Sequence, residues 1–203
     1  MSKKKCLFLG YSENETKLIR IIKKKGWLVS QKKTNLRNQK LSHYDCILSY
    51  GYKNIIKENI IKKLKKPIIN LHISYLPFNK GVHPNVWSFL EKTPSGVSIH
   101  EINSKIDSGP IIYRKLVKFN KNKLSFYETY NQLKEEIENL FIENMDKLMN
   151  HKYPKPKQRK GGSIHYKKDL EVLKNNNIFY NWKQNINKTI KIYESFNKKI
   201  KKN

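Results

Sequence analysis

With 203 residues, the chain can bury the core of one α/β domain and has little left for a second. Lysine and arginine number 43 against 16 acidic residues, a formal charge of +27 that points to a polyanionic partner. Arginine stands only at Arg20, Arg37, Arg114 and Arg159, and alanine is absent, so a nucleic-acid reader built on arginine forks is disfavoured against a solvated lysine surface or a preference for smaller anions such as nucleotide phosphates.

Residues 4–10 read as an apolar strand closed by Gly10, and Ser12 or Asn14 is placed to cap a helix that buries Leu18, Ile19 and Ile22 and ends at Gly26. Residues 27–30 read as the next strand. Strand, helix, strand opens a parallel sheet with a right-handed crossover. After a polar loop over 34–42, residues 44–50 give a third strand and 57–65 a helix with Ile60, Ile61 and Leu64 inward. Residues 67–71 form a fourth strand, so continuously apolar that it belongs at the sheet centre. A loop over 73–84 leads to a short helix from Asn85, and 96–102 and 110–117 alternate like paired, antiparallel strands. The longest helix spans 125–150, with Phe126, Tyr130, Leu133, Ile137, Leu140, Phe141, Met145 and Leu148 on one stripe. Prolines and glycines end compact regular structure over 152–162, and 177–199 can form an amphipathic helix through Ile178, Tyr180, Trp182, Ile186, Ile190 and Tyr193.

The pattern is α/β, an open and mostly parallel sheet flanked by helices. Cys6 and Cys46 lie far apart in apolar runs, as buried small hydrophobes do, without the spacing of a metal pair. The apolar start is too short for a signal peptide and no stretch reaches the length of a membrane span, so the expectation is a soluble cytoplasmic protein.

The stretch 67–112 carries the chemistry. In an open parallel sheet, ligands bind outside the carboxyl ends of the strands. Asn70 and His72 stand at that end of the fourth strand, two apart and therefore on one side of it. Asp107 follows a later strand in an Asp-Ser-Gly-Pro turn. An amide N–H can stabilise an oxyanion. An imidazole can move a proton near neutral pH. A carboxylate can orient that imidazole or take the proton of an attacking amine. No Ser or Cys stands in a nucleophile elbow, so the set suits direct attack by a substrate amine on an activated acyl donor. Singly, each has a plainer reading: His72 as a hydrogen-bonded loop residue, Asn70 and Asp107 as turn formers.

Asn70-Leu-His-Ile-Ser-Tyr-Leu-Pro, Gly81, the strand Gly96-Val-Ser-Ile-His and the turn Ile106-Asp-Ser-Gly-Pro-Ile-Ile together resemble the folate-dependent formyltransferases, across about 44–117. The resemblance implies a Rossmann-like formyltransferase fold, with Asn70, His72 and Asp107 as the catalytic set and 10-formyltetrahydrofolate as donor, without a metal. It implies a catalytic domain over 1–151, followed by a basic, partly helical extension over 152–203. The segment Leu48, Tyr50, Gly51, Tyr52 and Ile55 resembles the one that holds the pterin by backbone and apolar side chains, although both tyrosines also suit core or surface. Asn103 and Ser104 either help form the folate pocket or simply build the loop.

For the acceptor, Lys80 replaces the arginine often found before the loop glycine, and the segment from Pro84 to Phe89 together with 93–100 looks most like formyltransferases acting on nucleotide-linked amino-dideoxy sugars, including the pseudaminic-acid type. Gly161-Gly-Ser-Ile-His also resembles a segment downstream of that family's core. Lys80, Gly81, His83, Asn85 and Trp87 are the acceptor candidates. His83 suits a sugar or phosphate contact or a helix entry, Asn85 a helix cap, Trp87 the core or the pocket wall. His100 shares a face with Ser98 and suits a folded-state hydrogen bond or the site wall. The implied partners are a nucleotide-linked amino sugar and folate, with no membrane or nucleic acid, and a homodimer is compatible. Two alternatives stand beside this reading. One is phosphoribosylglycinamide formyltransferase of purine synthesis, which fits the length but not the single glycine after the first strand. The other is a basic nucleic-acid-binding protein on an inactive formyltransferase fold.

Overall fold

The computed structural model describes residues 2–36, 41–154, 158 and 161–200. Of the segments read as irregular, 37–40, 155–157, 159 and 160 lie outside the described residues. The chain divides into two compact units: Met1–His72 with Ser98–Tyr113 and Ile137–Gln158, and Ile73–Val97 with Arg114–Glu136 and Arg159–Asn203. Among the described residues, no helix is long and apolar enough to cross a membrane.

The first unit begins with β1 (Lys5–Gly10), α1 (Leu18–Lys24), β2 (Leu28–Lys32), β3 (Cys46–Tyr50), α2 (Glu58–Ile61) and β4 (Ile68–His72). β2, β1, β3 and β4 lie in that order and run parallel. β3 is buried at every position, as a strand covered on both faces must be. Leu7, Leu9, Ile47 and Ile68 form one core layer with Leu36, Leu41 and Ile56, and Ile60, Ile61 and Leu64 of the α2 region pack on its rim. Cys6 and Cys46 are free thiols, buried opposite each other in register.

Two local expectations are corrected here. α1 is not capped by Ser12 or Asn14, because the Glu15 carboxylate accepts from both the N–H and the hydroxyl of Ser12, closing a separate turn, and the helix starts later, at Leu18. α2 is a single turn, not a helix over 57–65: its cap falls at Lys62, and lysines surround the few apolar residues that could extend it.

The remaining elements are β5 (Lys80–Gly81), α3 (Pro84–Leu90), β6 (Gly96–Glu101), β7 (Ile111–Leu116), α4 (Phe126–Glu143), α5 (Met145–Met149), β8 (Ile164–His165), α6 (Lys167–Asn175) and α7 (Ile186–Ile200). β6 joins the sheet antiparallel to β4 and β7 follows it, giving six strands. The predicted helix over 125–150 breaks between α4 and α5. At the break the Asn144 side-chain amide donates to the Leu140 carbonyl, the kind of local bond that competes with helix continuation.

The second unit has a core of its own. Leu170 and Leu173 of α6, Ile178, Phe179, and Ile186 and Ile190 of α7 pack with Val86, Trp87, Phe89, Leu90 and Phe126. α7 begins at Ile186 rather than near 177. The preceding segment is pinned by backbone bonds, with the Phe126 N–H donating to Gln184 and the Tyr127 N–H to Trp182, and Asn185 accepts from the Lys188 N–H to cap the helix.

Candidate active site

Within the first unit, β4 and β6 pair so that Asn70 faces His100 and His72 faces Ser98. The period of two in an extended strand sets Asn70 and His72 on one face. Nε2 of His72 lies 3.5 Å from Oδ2 of Asp107, with side-chain exposures of 11% and 15%. Asp107 Oδ1 is 3.6 Å from Nε2 of His100, and the two imidazoles meet edge to face at 6.1 Å. Asn70 Nδ2 lies 3.0 Å from His100 Nε2. An amide, two imidazoles and a carboxylate therefore converge.

Asp107 reaches this cluster through a tight turn. Its φ is +44°, a conformation that Asp tolerates better than most residues. Gly109 lies so close to the strand before it that an added Cβ would come within 1.8 Å of the Glu101 carbonyl oxygen. The Gln158 side chain donates to the carbonyls of Asp107 at 2.8 Å and Gly109 at 2.9 Å, so a residue from the segment read as structureless holds the turn. No residue-type pattern announces it.

The donor candidates separate by burial. Leu48 is 0% and Tyr50 2% exposed. Their side chains belong to the interior, with the Tyr50 ring 4.7 Å from that of Tyr11. Gly51 takes a φ of +68°, and the Tyr52 hydroxyl donates to the Thr34 carbonyl. Ile55 is 81% exposed, an apolar side chain with no core to fill. Asn103 accepts from the Lys105 N–H in a local turn and Ser104 is exposed beside it.

The acceptor candidates lie in the second unit. Lys80 and Gly81 form β5 and pair in parallel with Ile164 and His165 of β8. Gly81 has a φ of +87°, and a Cβ there would come within 2.2 Å of the His165 carbonyl oxygen. His83, not Asn85, is the N-cap of α3, with a φ of +55° and Pro84 at the first helical turn. Its ring lies 5.5 Å from that of Trp182, and burial, then the charge of Lys174, push its pKa down. Asn85 is 1% exposed and donates to the Phe126 carbonyl. Trp87 stacks on His165 at 4.1 Å, nearly parallel, inside the core. Both side chains are buried in the second unit. His165, the last residue of the motif Gly161-Gly-Ser-Ile-His, is held 3.2 Å from Glu91.

Residues 1–145 match the family described as Formyl transferase. The chain belongs to that family. The formyltransferase PseJ from Anoxybacillus kamchatkensis, crystallised with UDP-4,6-dideoxy-4-formamido-L-AltNAc and tetrahydrofolate, is 39% identical, with 92% of this chain and 97% of that one covered and a TM-score of 0.83. The dTDP-4-amino-4,6-dideoxyglucose formyltransferase of Mycobacterium tuberculosis is 28% identical over 134 residues, 66% of this chain. The match spans 56% of that relative's length. A sugar N-formyltransferase from a Shewanella species shares the fold, at 17% identity and a TM-score of 0.76 over 94% of this chain and 87% of that one. As a member of the formyl transferase family, the chain has the Rossmann-like architecture expected of it, with a mostly parallel sheet flanked by helices.

Proposed function

We propose that this protein transfers a formyl group from 10-formyltetrahydrofolate to the amine of a nucleotide-linked amino-dideoxy sugar, in the cytoplasm. The observation that carries the reading is the convergence of Asn70, His72 and Asp107 in the first unit. The acceptor class is supported by the likeness to PseJ, whose crystals hold a UDP-linked formamido sugar and tetrahydrofolate.

In this reaction the acceptor nitrogen forms a bond to the formyl carbon and the carbonyl oxygen becomes an oxyanion. The Asn70 N–H and the His72 imidazole, as its cation, stabilise that oxygen. Asp107 holds His72 in place and takes the proton released by the amine, directly or through water. The bond from the formyl carbon to N10 then breaks and the proton passes to that nitrogen, leaving tetrahydrofolate and the formamide. Gly51, Tyr52, Ile55, Asn103 and Ser104 are the residues proposed to hold the donor, and Lys80, Gly81 and His83 those proposed to select the acceptor. Residues 1–151 act as the catalytic domain and 152–203 as an extension, of which Arg159–Asn203 belong to the second unit.

The test is a formylation assay with 10-formyltetrahydrofolate across a panel of nucleotide-linked amino-dideoxy sugars, with glycinamide ribonucleotide as control. Formylation of a sugar amine is the expected result. Turnover of glycinamide ribonucleotide alone overturns the acceptor assignment. Salt-sensitive nucleic-acid binding without folate binding overturns the reaction itself.

A further inference from the structure

His100 lies opposite Asn70 in the pairing of β4 with β6 and is 1% exposed. Its Nδ1 is 2.8 Å from the backbone carbonyl oxygen of Glu101. A carbonyl oxygen can only accept, so Nδ1 carries the ring proton. While the ring carries that one proton, Nε2 presents a lone pair. The Asn70 carboxamide is 3.0 Å from that lone pair, and only its nitrogen can be turned toward it, because its oxygen would set two acceptors against each other. Asp107 Oδ1, 3.6 Å from the same ring nitrogen, is too distant and of the wrong polarity to replace the amide as donor.

The two ends of a carboxamide have nearly the same shape, so packing alone does not choose between them. The choice is made by a polarity that begins at a backbone carbonyl and passes through His100. We propose that His100 is a positioning residue for formyl transfer: it fixes the orientation of the Asn70 amide, so that one N–H is spent on Nε2 and the second is held for the formyl oxygen. This assignment rests on the function proposed above. It separates two roles for imidazole in one cluster. His72 acts on the reacting atoms, and His100 acts only through Asn70.

Two substitutions and one spectrum test it. His100→Phe keeps a flat ring and removes the acceptor, and it is expected to lower kcat about 10²-fold, as the loss of an aligned oxyanion donor does. KM for both substrates should stay within about twofold, since the lost interaction belongs to the transition state. His100→Gln restores an acceptor oxygen near the place of Nε2 and should recover kcat at least about tenfold over His100→Phe, a rescue that a merely space-filling histidine would not show. In the wild-type protein, imidazole nitrogen NMR shifts of His100 should show the tautomer protonated on Nδ1. An unchanged kcat in His100→Phe, equal activity of the two variants, or a proton on Nε2 overturns the proposal. The spectrum decides alone if neither variant folds. Absence of turnover in the wild-type protein with every acceptor overturns the parent function, whereas wild-type turnover with a silent His100→Phe overturns only the positioning role.

Discussion

Nε2 of His72 and Oδ2 of Asp107 stand 3.5 Å apart, each carried by a different segment of the first unit. At that separation the carboxylate faces the imidazole nitrogen and can hold the ring in one orientation. Asp107→Asn preserves the shape and removes the charge. Its kcat is expected to fall by roughly 10²–10⁴-fold, the usual worth of a positioned acid or base, with an unchanged melting curve. Asn70→Ala and His72→Ala are expected to be similarly inactive and folded. Near-wild-type single-turnover rates in any of the three remove that residue from the reaction.

The Asp107 turn depends on Gln158, which donates to two of its carbonyls. Gln158→Ala deletes both bonds, each worth about 0.5–1.5 kcal/mol, and should lower kcat by up to roughly 10²-fold through a misplaced carboxylate while leaving the acceptor KM unchanged. Steady-state kinetics beside urea unfolding separates this from a general loss of stability. A variant that loses stability but keeps kcat would show that Gln158 supports the fold and not the turn.

Trp87 distinguishes a core role from a ligand contact. Because it is 4% exposed and stacked on His165, Trp87→Ala should cost about 3–5 kcal/mol of stability, as large aromatic truncations in cores do. Trp87→Phe should keep the acceptor KM within about twofold, because uniform binding is lost only where a contact is lost. A large rise in KM with Trp87→Phe would restore Trp87 to the acceptor site.

His83 makes stability depend on pH. Burial first, and Lys174 second, lower its pKa in the folded protein, so across the window between the depressed folded value and the ordinary unfolded one, about 6.5, the unfolded chain binds more protons. Its stabilising contribution is complete above the unfolded value and is lost as pH falls through that window. Urea midpoints measured from pH 8 to pH 5 should decline more steeply for the wild-type protein than for His83→Gln. Parallel profiles would rule out the coupling.

The end of the sheet that carries Asn70 and His72 was legible because its signals are local. Apolar runs mark the buried parallel strands, and the spacing of two between Asn70 and His72 fixes their common face. What escaped reading depends on partners distant in sequence or on side chains that bond to backbone. Lys80–Gly81 become a strand only by pairing with Ile164–His165. Leu170 and Leu173 look too sparse for a helix until α3 and Phe126 supply the surface they cover. Asn85 looked like a cap from composition alone, but the left-handed backbone of His83 moves the helix start and leaves Asn85 bonded to Phe126. Gln158 lies among prolines and lysines with no periodicity to mark it.

The antiparallel alignment of β4 with β6 imposes a parity rule on this protein. Deleting or inserting one residue within β6 would bring Ile99 or Glu101 opposite Asn70 in place of His100, and would reverse which side of the sheet each side chain occupies. A change of two residues would preserve the faces but trade His100 for Ser98 or Ile102. Length changes between β4 and β6, over 73–95, leave the alignment of the two strands untouched. The strand alignment is therefore what sets Asn70 against His100, whereas the connection is held by its own buried residues in α3.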